Sequence, residues 1–202
     1  MKFELPPQNF SDTEDKSRKK ILDCARELYL EFGLRRTTMD DVAKRAGMGR
    51  ATLYRRFSDK DQLFQAVIFR DVQHDIVAID NAVKESPSYL DGLIEAFVIA
   101  VTLIHKNPML SRLLQTEPDH VLPFLTTQFD GILGFSRIYI AKRIEAGQAA
   151  GDIKPMSAEL IAETVLRLTH SLMLTPNGVI HPGNEDSIRD FANQFIRPLL
   201  TP

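Results

Sequence analysis

Tryptophan is absent from the 202 residues, cysteine occurs once, at Cys24, and aromatic residues make up only 8%. A lone cysteine cannot close an intramolecular disulfide, which excludes a secreted scaffold stapled by such bonds. The scarcity of aromatics argues against an aromatic-rich β-sandwich and for helices built on Leu, Ile, Ala and Val. Strand-like alternation of polar and apolar residues is missing, and no segment repeats. Long apolar runs are missing too. The longest, Leu93 to Ile104, is broken by Glu95 and is too short to span a bilayer. Residues 1–20 contain no apolar segment of the signal-peptide kind. These absences lead to the expectation of a soluble, cytoplasmic protein.

What is present is ordinary globular material, 44% hydrophobic and 26% charged. The net charge of −2 conceals an asymmetry. Residues 1–70 hold 15 Lys/Arg against 11 Asp/Glu, while the remainder hold 10 against 16. A basic N-terminal third on an acidic remainder points to a polyanionic partner for the first part.

The spacing of apolar residues predicts an all-α chain of about nine helices. Residues 1–15, with Pro6 and Pro7 and no period, read as a disordered leader. Ile21, Leu22, Ala25, Leu28, Tyr29 and Phe32 then form one helix face that Gly33 stops. Thr37 or Thr38 caps a second helix that ends at Gly47, and a third runs through Leu53 and Tyr54 to about Phe57. A fourth extends from Ser58 or Asp59 to about Lys84. Helices follow over Tyr89 to His105 and Met109 to Gln115, then over one long segment from about His120 to Ala150 with Pro123 in its first turn. The last two span about 157–174 and 186–200. The expected organisation is a leader (1–15), a helix-turn-helix domain (16–60) and a helical effector-binding and dimerisation domain (61–202).

The informative block is residues 37–60. Two short helices joined by a glycine-containing turn are a helix-turn-helix, whose second helix enters the DNA major groove. Ala43 and Ala46 are small enough for close helix crossing, and Gly47 supplies the positive φ of the turn. The second helix exposes Arg50, Thr52, Tyr54, Arg55 and Arg56 and buries Leu53 and Phe57. Three guanidiniums and two hydroxyls on one short face suit phosphates and guanine edges.

In this block the sequence resembles the tetracycline-repressor (TetR) family of bacterial transcription regulators. The residues that carry the resemblance are Thr37-Thr38, Ala43, Ala46-Gly47, Thr52-Leu53-Tyr54, Phe57 and Lys60, without gaps, within a likeness covering about residues 16–70. Gly49 and Ala51 depart from it, standing where the family often has Ser and Gly. The resemblance implies a homodimeric, ligand-responsive repressor of a near-palindromic operator. It implies DNA contacts from Thr37, Thr38, Arg50, Ala51, Thr52, Tyr54, Arg55, Arg56 and Lys60, with Thr38, Thr52, Tyr54 and Lys60 on phosphates. It also places Lys16, Arg18, Lys19 and Lys20 near the backbone, and dimerisation in 157–174 and 186–200.

A small hydrophobic effector is expected among Phe97, Val101, His105, Met109, Leu113, Phe124, Gln128, Phe135 and Tyr139. Phe129, Gly131 and Gly134 belong to the same segment, where bulky rings beside glycines leave gaps between helices. Gln128, His105 and Tyr139 are the polar groups that would orient such a ligand. Cys24 reads as a packing residue, and the five histidines lack metal-ligand spacing. Glu117 and His120 form at most an i, i+3 pair with Pro118 between them. Neither a cofactor, a metal nor a catalytic residue is expected, since the chain has no nucleophile elbow or phosphate-cradling glycine loop. Two alternatives remain at this point: a DNA-binding regulator without a small-molecule effector, and a helical enzyme.

Overall fold

The computed structural model describes residues 12–128 and 130–202, with side chains from Lys16 onward. Every regular element among them is helical. The helices are α1 (Asp12–Phe32), α2 (Met39–Ala46), α3 (Arg50–Arg56), α4 (Lys60–Val83), α5 (Tyr89–Lys106) and α6 (Pro108–Thr116). They continue as α7 (Pro118–Leu125), α8 (Asp130–Ala150), α9 (Ala158–Leu174) and α10 (Glu185–Phe191), then a π-helical turn (Ala192–Ile196) and α11 (Arg197–Leu200). The expected leader lies outside the described residues up to residue 11, and residues 12–15 already belong to α1. Phe129 also lies outside them.

The segment expected as one helix from His120 to Ala150 is two, α7 and α8. Pro123 sits inside α7 rather than opening a long helix, and it has no N–H to donate. At the break the Thr126 hydroxyl donates to the Leu122 carbonyl at 2.6 Å, while the Gln128 N–H closes onto the Pro123 carbonyl at 2.9 Å. Side-chain and out-of-register donors thus take up the last carbonyls of α7, and the helix stops there.

The helices pack as two compact units. One combines the described residues up to Val72 with those of 108–131; the other combines Gln73–Asn107 with Ile132–Pro202. In the first unit Tyr29 meets Phe64 edge-on at 5.5 Å between centroids, and Phe64 meets Phe124 at 5.2 Å. Ile21, Leu53, Leu63, Met109 and Leu113 are fully buried around them. Thus α6, α7 and the first half of α4 pack with α1–α3, although the functional division was expected at residue 60. In the second unit α5 is central, with Phe97, Val98 and Val101 packed against Ile161 and Val165 of α9 and against the C-terminal helix. Arg189 donates to both Glu95 oxygens at 3.0 and 3.1 Å, and Arg197 donates to Asp91 at 2.7 Å.

The π turn follows from the sequence. Ile188, Ala192, Ile196 and Leu200 are all buried in the core of the second unit, and they recur every four residues. An α-helix of 3.6 residues per turn would carry the last of them about 120° away from the first. A wider turn absorbs the extra residue and keeps the four on one face. Deleting exposed Asn193 or Gln194 changes the spacing to four, three and four, which drifts only about 20° in a regular helix. Such a deletion is expected to leave the melting temperature unchanged or raised. A loss on the scale of exposing Ile196 and Leu200, about 3–6 kcal/mol by chemical denaturation, would overturn this account.

Candidate nucleic-acid interface

The reading surface is assembled from short-range chemistry. Thr38 is the N-cap of α2: its hydroxyl accepts the Asp41 N–H at 3.2 Å and donates to the Asp41 carboxylate at 2.6 Å. The carboxylate in turn accepts the Thr38 N–H at 3.0 Å, which closes a reciprocal capping box. These bonds hold the Asp41 carboxyl below its ordinary range, the side-chain bond contributing most. At the other end Gly47 takes the left-handed conformation, φ 64° and ψ 36°, and its N–H reaches the carbonyls of Ala43 and Lys44. A side chain there would be strained, so glycine is what lets the chain turn into α3.

On α3, Leu53 is fully buried and Phe57, its C-cap, nearly so. The Arg18 guanidinium lies over the Phe57 ring, 5.2 Å from its centroid. Arg50, Ala51, Tyr54 and Arg55 are exposed, and Thr52 and Arg56 are half-buried. Arg50, Tyr54 and Arg55 are thus displayed to solvent, while the apolar positions hold the helix down. Arg50 is paired with Asp40 of α2.

Two expected DNA contacts have other engagements. Thr37 is only 2% exposed, and its hydroxyl donates to the Gly33 carbonyl at 2.7 Å. The Lys60 ammonium donates to the Leu34 carbonyl at 3.0 Å and that of Arg35 at 3.4 Å. Both residues therefore fix the link between α1 and α2. Glu117 does the same from the start of α7. Its carboxylate accepts the Arg35 N–H at 2.7 Å and presses on Gly33, where a Cβ would lie 2.0 Å from it. Sequence spacing carries no signal for that contact, which joins residues 82 positions apart.

The nine candidate effector residues are divided between the units. Met109, Leu113, Phe124 and Gln128 fall in the first; Phe97, Val101, His105, Phe135 and Tyr139 fall in the second. Met109 and Leu113 are fully buried, whereas His105 is exposed at the end of α5. Gln128 accepts a hydrogen bond from Gln65 at 3.4 Å. The Tyr139 hydroxyl donates to Asp80, and burial together with that bond pushes its pKa up to about 12. Cys24 is buried, which pushes its thiol up and away from the reactive thiolate.

Comparison with known proteins agrees with this geometry. Residues 21–67 match the family described as "Bacterial regulatory proteins, tetR family". The HTH-type transcriptional regulator YhgD of Bacillus subtilis, itself uncharacterized, is 26% identical over 179 residues, covering 89% of this chain and 94% of that protein. A TetR-family regulator structure from Syntrophomonas wolfei superposes with a TM-score of 0.69 at 18% identity, covering 90% of this chain and 95% of the other. The TetR family repressor AlkX from Dietzia gives the same TM-score at 22% identity, over 90% and 93% of the two chains.

The capping box has a testable signature. Thr38→Ala is expected to destabilise the protein by about 0.5–2 kcal/mol at neutral pH. Because the folded-state pKa of Asp41 is lowered, the charged part of that contribution is present above the ordinary carboxyl value of 3.8 and is lost as pH falls through the lowered one. The gap between wild type and Thr38→Ala in chemical denaturation should therefore narrow from pH 7 to pH 3. A gap that stays constant or widens would show that the carboxylate is not part of the cap.

Proposed function

Because the chain belongs to the TetR family of bacterial DNA-binding transcription regulators, we propose that it is a homodimeric repressor released from its operator by a small hydrophobic molecule. The observation that carries the DNA contact is α3: a short helix pinned by Leu53 and Phe57 and displaying Arg50, Tyr54, Arg55 and Arg56. Arg50 and Arg56 read base edges, with Ala51 and Arg55 against the groove walls; Thr38, Thr52 and Tyr54 hold phosphates. Thr37 and Lys60 act indirectly, by fixing the link ahead of α2.

Dimerisation is supported by apolar side chains that the fold leaves uncovered on α9 and the C-terminal helix. Leu160 is 68% exposed, Phe195 61% and Leu199 58%. A two-fold pairing of these helices into a four-helix bundle would cover them and give two reading heads for a near-palindromic site. The repressor sense and the apolar effector draw support from AlkX, a repressor implicated in biodegradation of n-alkanes. The apolar effector also fits the aromatic and aliphatic character of Phe97, Val101 and Phe135 within the second unit. Binding shifts the protein off DNA only if the ligand prefers the released arrangement. A panel of lipophilic compounds, read by thermal shift and by loss of operator binding, tests this. No shift and no release would leave a regulator without a small-molecule effector.

Duplexes selected from random DNA should bind with an affinity that falls steeply with salt. Arg56→Ala should relax the base preference at particular operator positions, a loss of roughly 1–3 kcal/mol in discrimination. Tyr54→Phe should weaken all sequences alike. Equal weakening of every sequence by both variants would refute this division of roles.

Phe195 is exposed and so probes assembly without disturbing the core. Phe195→Glu should yield a folded monomer by sedimentation that has lost tight operator binding. A wild-type protein sedimenting as a monomer at micromolar concentration would overturn the dimer.

A further inference from the structure

Arg50 opens α3, and its side chain is 70% exposed. Its guanidinium donates twice to Asp40, from Nε to Oδ1 and from Nη2 to Oδ2. Asp40 stands in the first turn of α2, but the capping box uses its neighbour Asp41, which leaves the Asp40 carboxylate to Arg50. With both partners in contact with water, at 70% and 45% exposure, such a pair adds little to folding stability. Its geometric consequence is larger. A guanidinium carries five N–H groups in a rigid plane. Asp40 takes the edge formed by Nε–H and one Nη2–H. The remaining edge, Nη1–H beside the second Nη2–H, is a parallel pair of donors, which is what the O6 and N7 acceptors of guanine require.

We propose that Asp40 is a specificity-determining positioning residue that holds Arg50 by one edge so that the other edge reads a guanine. The inference rests on the assignment of α3 as the DNA-contacting helix. The carboxylate also has a second effect. It places a negative charge beside the guanidiniums of α3, so it repels the phosphates of every sequence and penalises complexes in which Arg50 finds no guanine. Asp40 therefore lowers affinity in general and raises it selectively at one base pair.

The test uses the full-length protein and duplexes selected by wild type from random DNA, with base preference measured at every position. Asp40→Asn keeps the size and removes the charge; circular dichroism and melting confirm the fold. Discrimination at one base pair is expected to fall about tenfold, at the same pair that Arg50→Ala affects, while affinity for unrelated duplexes rises. In an Arg50→Ala background, Asp40→Asn should no longer change preference at that pair. If wild type binds its selected sites and Asp40→Asn leaves the preference unmoved, or moves it at a pair indifferent to Arg50, the inference is overturned alone. If wild type binds no selected duplex, the reading of α3 fails and takes this inference with it.

Discussion

Between Phe32 and Met39 the backbone leaves one helix and enters the next, and the carbonyls of Gly33, Leu34 and Arg35 and the N–H of Arg35 find their partners in side chains. Unfixed, this link would let α2 and α3 swing on α1, since a few free backbone dihedrals are enough to reorient everything beyond them. Three side chains from three different places hold it. The Thr37 hydroxyl donates to the carbonyl of Gly33, the Lys60 ammonium from α4 donates to those of Leu34 and Arg35, and the Glu117 carboxylate accepts the N–H of Arg35. A cation on the carbonyls and an anion on the amide are the complementary choices for each backbone group. Gly33 gives the carboxylate room, because any side chain there would collide with it. Arg112 adds a bond from α6 to the Glu31 carbonyl at the end of α1, at 3.2 Å. The orientation of α3 is thus set by polar anchoring of a short link as much as by apolar packing.

That division explains which parts of the fold were legible in the sequence. The caps were legible because their chemistry is local: Gly47 closes α2 as expected, and of Thr37 and Thr38, both open as its cap, Thr38 is the one that caps it. The inward side of α3 was legible because Leu53 and Phe57 keep helical period. Residues that act over long sequence separations were not. Lys60 matches a position of a family motif that implied a DNA contact, yet its ammonium donates to carbonyls 25 and 26 residues away that only the folded chain brings to it. Glu117 drew notice beside His120, although its partner lies on the far side of the unit's sequence. The single helix expected from His120 to Ala150 failed for a local reason that periodicity does not register. Apolar spacing continues through the break, but Pro123, Thr126 and Gln128 leave the backbone without regular partners there.

Charge on the first unit follows the same economy. Arg26 is bonded to Asp71 at 2.9 Å, Arg45 to Glu31 at 2.9 Å and Arg70 to Asp23 at 2.6 Å, so these guanidiniums are matched locally by neighbouring acids. No acid partner stands beside the guanidiniums of Arg55 and Arg56 among the ion pairs of the described residues, and Arg50 has one that leaves an edge unused. A basic domain is therefore a poor description of this surface. What a polyanion meets is a small set of donors on one helix, displayed beside neighbours whose charges cancel. Favourable long-range attraction then comes from few groups, and selectivity from how rigidly those few are held.

The C-terminal helix applies a comparable logic to apolar groups. Its inward residues recur every four positions, so a helix of ordinary pitch would carry the last of them about 120° round its axis, toward the side of Phe195 and Leu199. The π turn keeps them apart: Ile188, Ala192, Ile196 and Leu200 remain on α5, and Phe195 and Leu199 remain in solvent. Phe195 stacks on Phe191, 5.5 Å between centroids with the planes 29° apart, which presents a flat apolar surface rather than isolated side chains. Arg189 and Arg197 fix the helix to Glu95 and Asp91 on either side of the turn, so the surface cannot rotate inward to hide itself. A protein that spends an irregular turn and two ion pairs on keeping large apolar groups exposed has a surface suited to burial against another copy of itself.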